Sequence, residues 1–294
     1  MHFEIEHRTE YRYSQPVFLD PHLLRLRPRS DWRQRLDGFE LDISPQPEGC
    51  ARIVDLDGND ANRPWFAGTH DHLRIVVCSV VETLESDPYG YYLDANADGL
   101  PLTYGEELAG LAPYMSPETQ EGPVLELARD LQRESENKTV RFLSLLNAKI
   151  RQLCPTETRL EGDPLTPEET LDRGRGACRD VTVLFMAVCR AAGLAARFTS
   201  GYVDGVLQED RYLHAWAEVY LPGAGWRGYD PSLGLVVTDR HVALASGPRA
   251  AAARPFSGRF RGTGVEAQMT VDLKIRTAPV HEGASDVPAA GGIA

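Results

Sequence analysis

The sequence predicts an α+β fold: a β-sandwich-like N-terminal domain, then a core in which a helix packs on an antiparallel sheet. Three observations predict it. The first 80 or so residues alternate apolar and charged side chains with a period of two. The stretch from Pro123 to Gly193 carries apolar residues at helical spacing. After it the two-residue period returns, in "ARFTSGYV", "RYLHAWAEVYL" and "GWRGYDPS".

In "HFEIEHRTEYRYS", Phe3, Ile5, His7, Thr9, Tyr11 and Tyr13 fall on one side of a pleat, with mainly charged residues between them. "FELDIS" repeats the alternation. "LRIVVCSVVETL" is nearly continuous and β-branched, as a buried strand is. Asp-Gly and Gly-Asn pairs at residues 57–59 mark a turn. Residues 1–84 are therefore read as the β-rich domain and the turn-rich, tyrosine-bearing residues 85–122 as a packed connector. Residues 123–279 form the core with a C-terminal strand in "VEAQMTVDLKIRTA", and residues 280–294 a disordered tail of small and polar residues.

Within the core, Val124, Leu127 and Leu131 form one apolar stripe and Val140, Phe142, Leu145, Leu146 and Ile150 another. The "ESENKT" break divides them into two helices. In "LTPEETLDRG", Thr166 is an N-cap, Pro167 holds the first helical position, and the helix stops near Gly174. A further helix opens at Cys178 and is closed by Gly193. Its buried stripe is Val181, Leu184, Phe185, Val188, Cys189 and Ala192.

The formal net charge of −12 argues against a nucleic-acid binder, whose footprint is basic. The five cysteines are widely spaced and include no zinc-type pair. Their odd number, with no apolar leader in "MHFEIEHRTEYRYSQPV", predicts reduced thiols and a cytoplasmic location. No apolar run is long enough to predict a membrane span.

Cys178 is the residue whose position asks for chemistry. Unpaired N–H groups at a helix start favour a thiolate and can bind an oxyanion forming beside the sulfur. The glycines of the Gly174-Arg175-Gly176 lead allow a substrate backbone to approach. Asp180, two residues on, opposes ionisation, so an imidazolium partner is required. His214 and Asp230 supply a base and a group to orient it, one on each of two adjacent strands.

Their meeting depends on the hairpin loop. If Pro222 to Gly225 all form the loop, Leu221 pairs with Trp226 and Asp230 lands opposite Ala217, on the wrong face. If the loop is Pro222-Gly223-Ala224 with Gly225 left-handed, Leu221 opposes Gly225 and Asp230 faces Trp216, on the face of His214. The odd loop is predicted.

"GACRDVTVLFMAVCRAAGLAARFTSGYV" followed by "HAWAEVYLPGAGWRGYDPSLG" resembles the core of the transglutaminase-like superfamily. "HRTEYRYSQPVFLDPHLLRLRPR" resembles the β-rich N-terminal region of its bacterial members. The resemblance implies a papain-like core, with Cys178 as nucleophile, His214 as general base and acid, and Asp230 as the orienting carboxylate. It implies acyl transfer from peptide-type amides through a thioester, with a peptide or protein substrate and no cofactor. Hydrolysis by a cysteine protease or amidase is the favoured outcome. The alternatives are cross-linking or deamidation, and a non-catalytic peptide-binding scaffold. Where many relatives read Cys-Gln-Asp-Phe-Ala-His, this chain reads Cys178-Arg179-Asp180-Val181-Thr182-Val183. Where they often place a tyrosine, it has Leu153-Cys154. The Cys178 N–H is thus the one assigned oxyanion donor.

Other residues carry plainer expectations. Trp216 either shields the His214–Asp230 bond or is plain core, and with Gly176 it is a candidate substrate contact. Trp226, Tyr229, Cys154 and Cys189 are core. His70 and His72 sit in a solvated loop without a third metal ligand. The basic run Arg25 to Arg35 is a solvated strand edge.

Overall fold

The computed structural model describes residues 1–115, 121–159, 162–204 and 213–279. In chain order the strands are β1 (His2–Leu19), β2 (Leu23–Leu24), β3 (Gln34–Ser44), β4 (Gly49–Val54), β5 (Asp60–Trp65) and β6 (Thr69–Thr83). Then come β7 (Ala196–Val203), β8 (His214–Leu221), β9 (Gly225–Asp230), β10 (Leu235–Val236), β11 (His241–Gly247), β12 (Phe256–Ser257), β13 (Phe260–Arg261) and β14 (Ala267–Ala278). Among the described residues, five α-helices lie between β6 and β7: α1 (Ala112–Met115), α2 (Pro123–Glu134), α3 (Thr139–Leu153), α4 (Pro167–Arg173) and α5 (Cys178–Ala191).

Among the described residues the strands form three sheets. One runs β13–β1–β6–β3, with β14 also paired to β1. A second runs β12–β2–β5–β4, and the core sheet runs β10–β9–β8–β7–β11. The alternation of β1 turns Phe3, Ile5 and His7 inward and Glu4, Glu6 and Arg8 outward. The inward residues do not close a core private to the N-terminal region. Phe3 and Ile5 join one apolar cluster with Tyr202 of β7 and with Val242 and Leu244 of β11. Strands buried along nearly their whole length, as β7 and β11 are, need cover beyond what α5 provides.

The C-terminal strand departs from the expected domain boundary. β14 leaves the core and pairs along β1, from His2↔Ala278 to Tyr13↔Ala267. An alternating strand carries no label for its partner, and the free edge of β1 offered the longest one. The expected tail, 280–294, lies outside the described residues.

The helices follow their local signals. The break between α2 and α3 falls at residues 135–138, where Glu136 and Asn137 both take positive φ. Thr166 caps α4 by accepting from the Glu169 N–H while the Glu169 carboxylate accepts from the Thr166 N–H, and Gly174 ends it in the left-handed region. α5 packs on β7 and β8, its buried face formed by Val181, Leu184, Phe185 and Val188. Tyr91, Leu93 and Tyr104 pack against the core cluster. Tyr104 Oη donates to the Tyr220 carbonyl and accepts from the Ala195 N–H. Among the described residues, no helix is long and apolar enough to cross a membrane.

The basic run is not a solvated edge. Arg25 pairs with Asp55 at 2.7 Å, and Arg29 and Arg33 reach Glu218 of β8 at 3.7 and 2.8 Å. Arg197 of β7 completes the cluster at 2.6 Å. Glu218 is buried in the middle of a core strand, and a carboxylate there needs cations brought to it.

Two side-chain amides of the N-terminal region close the outer edge of β11. Gln34 accepts from the Ala243 N–H at 2.7 Å and donates to the Ala243 carbonyl at 3.0 Å. Asn59 does the same at Ser246, at 2.8 Å in both directions. Each amide imitates the donor–acceptor pair of an adjacent strand and so satisfies an edge that would otherwise be buried unpaired.

Candidate active site

The segment leading into α5 is fixed by backbone pairing. Thr156 and Gly176 form a short parallel bridge, with the Glu157 N–H donating to the Gly176 carbonyl at 3.0 Å. Gly176 is buried, and a Cβ on it would stand 2.9 Å from the Asp180 Cβ. Packing against Asp180 therefore already requires a glycine here, apart from any substrate. Asp180 accepts from the N–H groups of Ala177 at 2.8 Å and Leu165 at 2.9 Å, and from Arg159 at 2.5 Å. The negative charge beside Cys178 is thus matched by a guanidinium and two N–H dipoles.

Cys178 is the first residue of α5 and is partly exposed. His214 opens β8 and Asp230 closes β9. The hairpin between them has the odd loop: Leu221 pairs with Gly225, Ala217 with Tyr229, and Gly225 has φ +73°. One residue further along, Asp230 falls opposite Trp216, on the His214 face. His214 Nε2 lies 2.7 Å from Asp230 Oδ2. The Cys178 side chain is near enough to the His214 ring to act on its charge. With Nε2 on the carboxylate, Nδ1 is the nitrogen left for the sulfur.

Asp230 is fully buried and its carboxylate is surrounded by donors. Oδ1 accepts from the Ser232 N–H at 3.0 Å, the Ser232 hydroxyl at 2.6 Å and the Leu233 N–H at 3.1 Å. Oδ2 faces His214 and, at 3.3 Å, Nε2 of His241. Burial opposes the charge, but the two imidazoles outweigh it and hold the carboxyl well below the usual carboxylate range. Burial likewise opposes a charged His214. The Asp230 carboxylate and the Cys178 side chain overcome it and push the imidazole up to about 10. At neutral pH the ring is an imidazolium beside a sulfur.

Trp216 is 1 % exposed, and its ring is 6.4 Å from that of His214 at an interplanar angle of 33°. A Cβ on Gly201 would stand 2.5 Å from its Cη2, so β7 supplies a bare backbone for the indole to lie against. The indole therefore sits as a wall beside the imidazole–carboxylate pair, not on an exposed substrate surface. Tyr229 stacks on Phe185 in the core, and Cys154 and Cys189 are buried. Trp226 lies under the Arg197 guanidinium at 4.2 Å. His70 bonds the Ala67 carbonyl, and His72 bonds Ser44 and Asp71.

Sequence reasoning passed over three residues of this site. Ser232 is legible in retrospect, since Asp-x-Ser commonly folds into a turn around the Asp carboxylate. Thr156 ties the two halves together by donating from its hydroxyl to the Ser232 carbonyl at 3.0 Å. His241 opens β11, and nothing in its neighbours announces a role.

Comparison with known proteins bears on the fold and the family. Residues 3–82 match the bacterial transglutaminase-like N-terminal region, and residues 126–231 match the transglutaminase-like superfamily. An uncharacterized protein of Mycobacterium tuberculosis is 28 % identical over 287 residues, covering 87 % of this chain and 86 % of the relative. An uncharacterized protein of Mycobacterium leprae is 24 % identical over 274 residues, covering 88 % and 93 %. A crystal structure of a candidate cysteine protease from Cytophaga hutchinsonii superposes with a TM-score of 0.71 at 19 % identity, covering 95 % of this chain and 92 % of that one. That likeness extends over both the strand-rich N-terminal region and the core.

Proposed function

Because the chain belongs to the transglutaminase-like superfamily, with the N-terminal region of its bacterial members ahead of the core, we propose that it is a thiol enzyme that transfers acyl groups from peptide-type amides. One observation carries the reading. A histidine bonded at 2.7 Å to a buried carboxylate lies within electrostatic reach of Cys178, the partly exposed residue that begins α5.

In this reading the Cys178 thiolate attacks the amide carbonyl carbon. A C–S bond forms as the carbonyl π electrons move onto oxygen. In this reading the backbone N–H of Cys178, at the first turn of α5, stabilises that oxyanion. When the tetrahedral species collapses, the C–N bond breaks and the departing amine takes the Nδ1 proton of the His214 imidazolium. The thioester remains and His214 is neutral. Water then gives a proton to Nδ1 and adds to the thioester carbonyl. The C–S bond breaks, which returns the thiolate–imidazolium pair and releases a carboxylic acid. Asp230 keeps its charge throughout, orienting the ring and stabilising its cationic form. The enclosing Trp216 keeps water off the bond, which strengthens it at low local dielectric.

Water is the acceptor in the proposed cycle, which makes the reaction a hydrolysis. An amine acceptor would make it a cross-linking reaction. Mass spectrometry of a peptide library incubated with the protein, with and without added amine, separates the two. Cleaved or deamidated products at unchanged yield with the amine present are expected; predominant amine adducts would refute hydrolysis. Iodoacetamide labelling tests the class itself. Cys178 is expected to react at neutral pH far faster than a free thiol, and in a His214→Ala variant only at the free-thiol rate. Equal rates in the two proteins would end the thiol-enzyme reading.

A further inference from the structure

We propose that His241 is a positioning residue for the Asp230 carboxylate, held in the tautomer that donates to it, so that the site is a row of four groups and not three. This deepens the proposed function and rests on it. The family match ends at residue 231, so His241 lies outside the matched region.

The tautomer follows from the backbone. The Thr238 N–H points at His241 Nδ1, at 3.4 Å. A nitrogen receiving an N–H is an acceptor, so the neutral ring carries its proton on Nε2. Nε2 is the atom 3.3 Å from Asp230 Oδ2. The ring cannot turn away freely. It is 5 % exposed and meets the Trp216 indole edge-on, with centroids 5.3 Å apart at 75°. The turn that supplies the Thr238 N–H is closed by the His241 N–H donating to the Thr238 carbonyl at 3.1 Å.

The consequence lies at Oδ2. A carboxylate offers about four lone-pair sites. Ser232 and Leu233 occupy Oδ1, which leaves Oδ2 to the two histidines. Without His241 the second site of Oδ2 is empty in a fully buried group, and the carboxylate can tilt and lengthen its bond to His214. The N-terminal region fixes the segment that carries His241. Thr83 donates from its hydroxyl to the Asp239 carbonyl at 2.6 Å, and the Gln34 amide brackets Ala243. This gives the N-terminal region a physical hold on the catalytic row.

The test compares the full chain with His241→Phe, which keeps ring volume without a donor, and with His241→Gln, which keeps an N–H donor and never titrates. Two readouts are used: the rate of Cys178 alkylation by iodoacetamide at pH 7, and the low-field proton signal of the His214–Asp230 bond, assigned by its absence in His214→Ala. The loss of one hydrogen bond to a charged group predicts a rate about tenfold lower in His241→Phe. The low-field signal is expected to move upfield or vanish there, and His241→Gln is expected to restore both. Wild-type behaviour in His241→Phe overturns the proposal. So does equal damage in both variants, which is what a purely structural role predicts. A further measurement needs no variant: nitrogen shifts of wild-type His241 must show Nε2 protonated and Nδ1 bare, and the reverse pattern refutes the assignment. If wild-type Cys178 proves no more reactive than a free thiol, the functional reading fails, while the tautomer and the low-field signal still decide the role of His241.

Discussion

Replacing Glu218 with glutamine should cost the protein a large part of its stability. Glu218 is 1 % exposed and faces three guanidiniums: Arg197 at 2.6 Å, Arg33 at 2.8 Å and Arg29 at 3.7 Å. Burial alone would favour the neutral acid, but the arginines hold the carboxyl well below its usual range. Glutamine removes the counter-charge and turns an NH2 donor towards one of the guanidiniums, which is itself donor-only. At an effective dielectric near 20, one pair at 4 Å is worth about 4 kcal/mol before desolvation. Removing one partner of a buried pair typically costs about 3–5 kcal/mol. The loss should fall in that range, read from urea unfolding at pH 7 followed by circular dichroism. The pH dependence gives a second check. A depressed carboxylate stabilises the fold above its unfolded pKa and loses that contribution as pH falls below it. The wild-type stability should therefore fall below about pH 4.5, and Glu218→Gln should fall less steeply there. A loss under about 1 kcal/mol, the value of an exposed pair, would refute the buried-staple argument.

Three further outcomes are expected. Asp230→Asn keeps the shape of the side chain but removes the charge that orients and stabilises the His214 ring, and should lower turnover by about 10⁴-fold; retained turnover would show that the carboxylate does not serve the site. Gly201→Ala puts a methyl 2.1 Å from the Val242 carbonyl oxygen and 2.5 Å from Trp216 Cη2. It should cost about 1–3 kcal/mol and shift the tryptophan fluorescence, and an unchanged unfolding midpoint would contradict the packing described here. Burial lowers His7 to about 4, so the unfolded chain binds the extra proton first and stability must fall as pH drops from 6.5 towards 4. The contribution reaches about 3 kcal/mol at the acid end; His22, also lowered by burial, adds to the slope. Urea midpoints at pH 7 and pH 5 should lie closer together in His7→Gln than in the wild type.

The parts of the fold that were legible are those decided by near neighbours. The caps of α4 and the break between α2 and α3 are local chemistry, and so is the loop at Pro222-Gly223-Ala224. That loop mattered beyond its size, because strand alternation carries its parity eight residues in one direction and six in the other, to His214 and Asp230. What was not legible was the destination of surfaces. The alternation of β14 says that it has two faces and nothing about whether β1 or the core sheet receives it. Arg29 and Arg33 read as a solvated edge because their partner, Glu218, lies 185 residues beyond Arg33 along the chain. The missed signal was an acid in the middle of "HAWAEVYL". A carboxylate flanked by buried strand residues has to be met by cations, and the densest local basic run was the place to look.

That same logic explains why the N-terminal region and the site belong to one argument. An edge strand such as β11 must have its outer N–H and C=O groups satisfied, and Gln34 and Asn59 do so with amides supplied from β3 and from the loop before β5. The requirement is a backbone one, met at Ala243 and Ser246. It nevertheless fixes the strand whose first residue is His241, and through that ring the carboxylate facing His214. β8 is held in a similar way, since Glu218 is met by Arg29 and Arg33 of the N-terminal region and by Arg197 of β7. His214 is four residues before Glu218 on the same strand, and its ring takes its place from that strand. The long-range contacts that sequence patterning could not foresee are thus the ones that set the distances on which the chemistry depends.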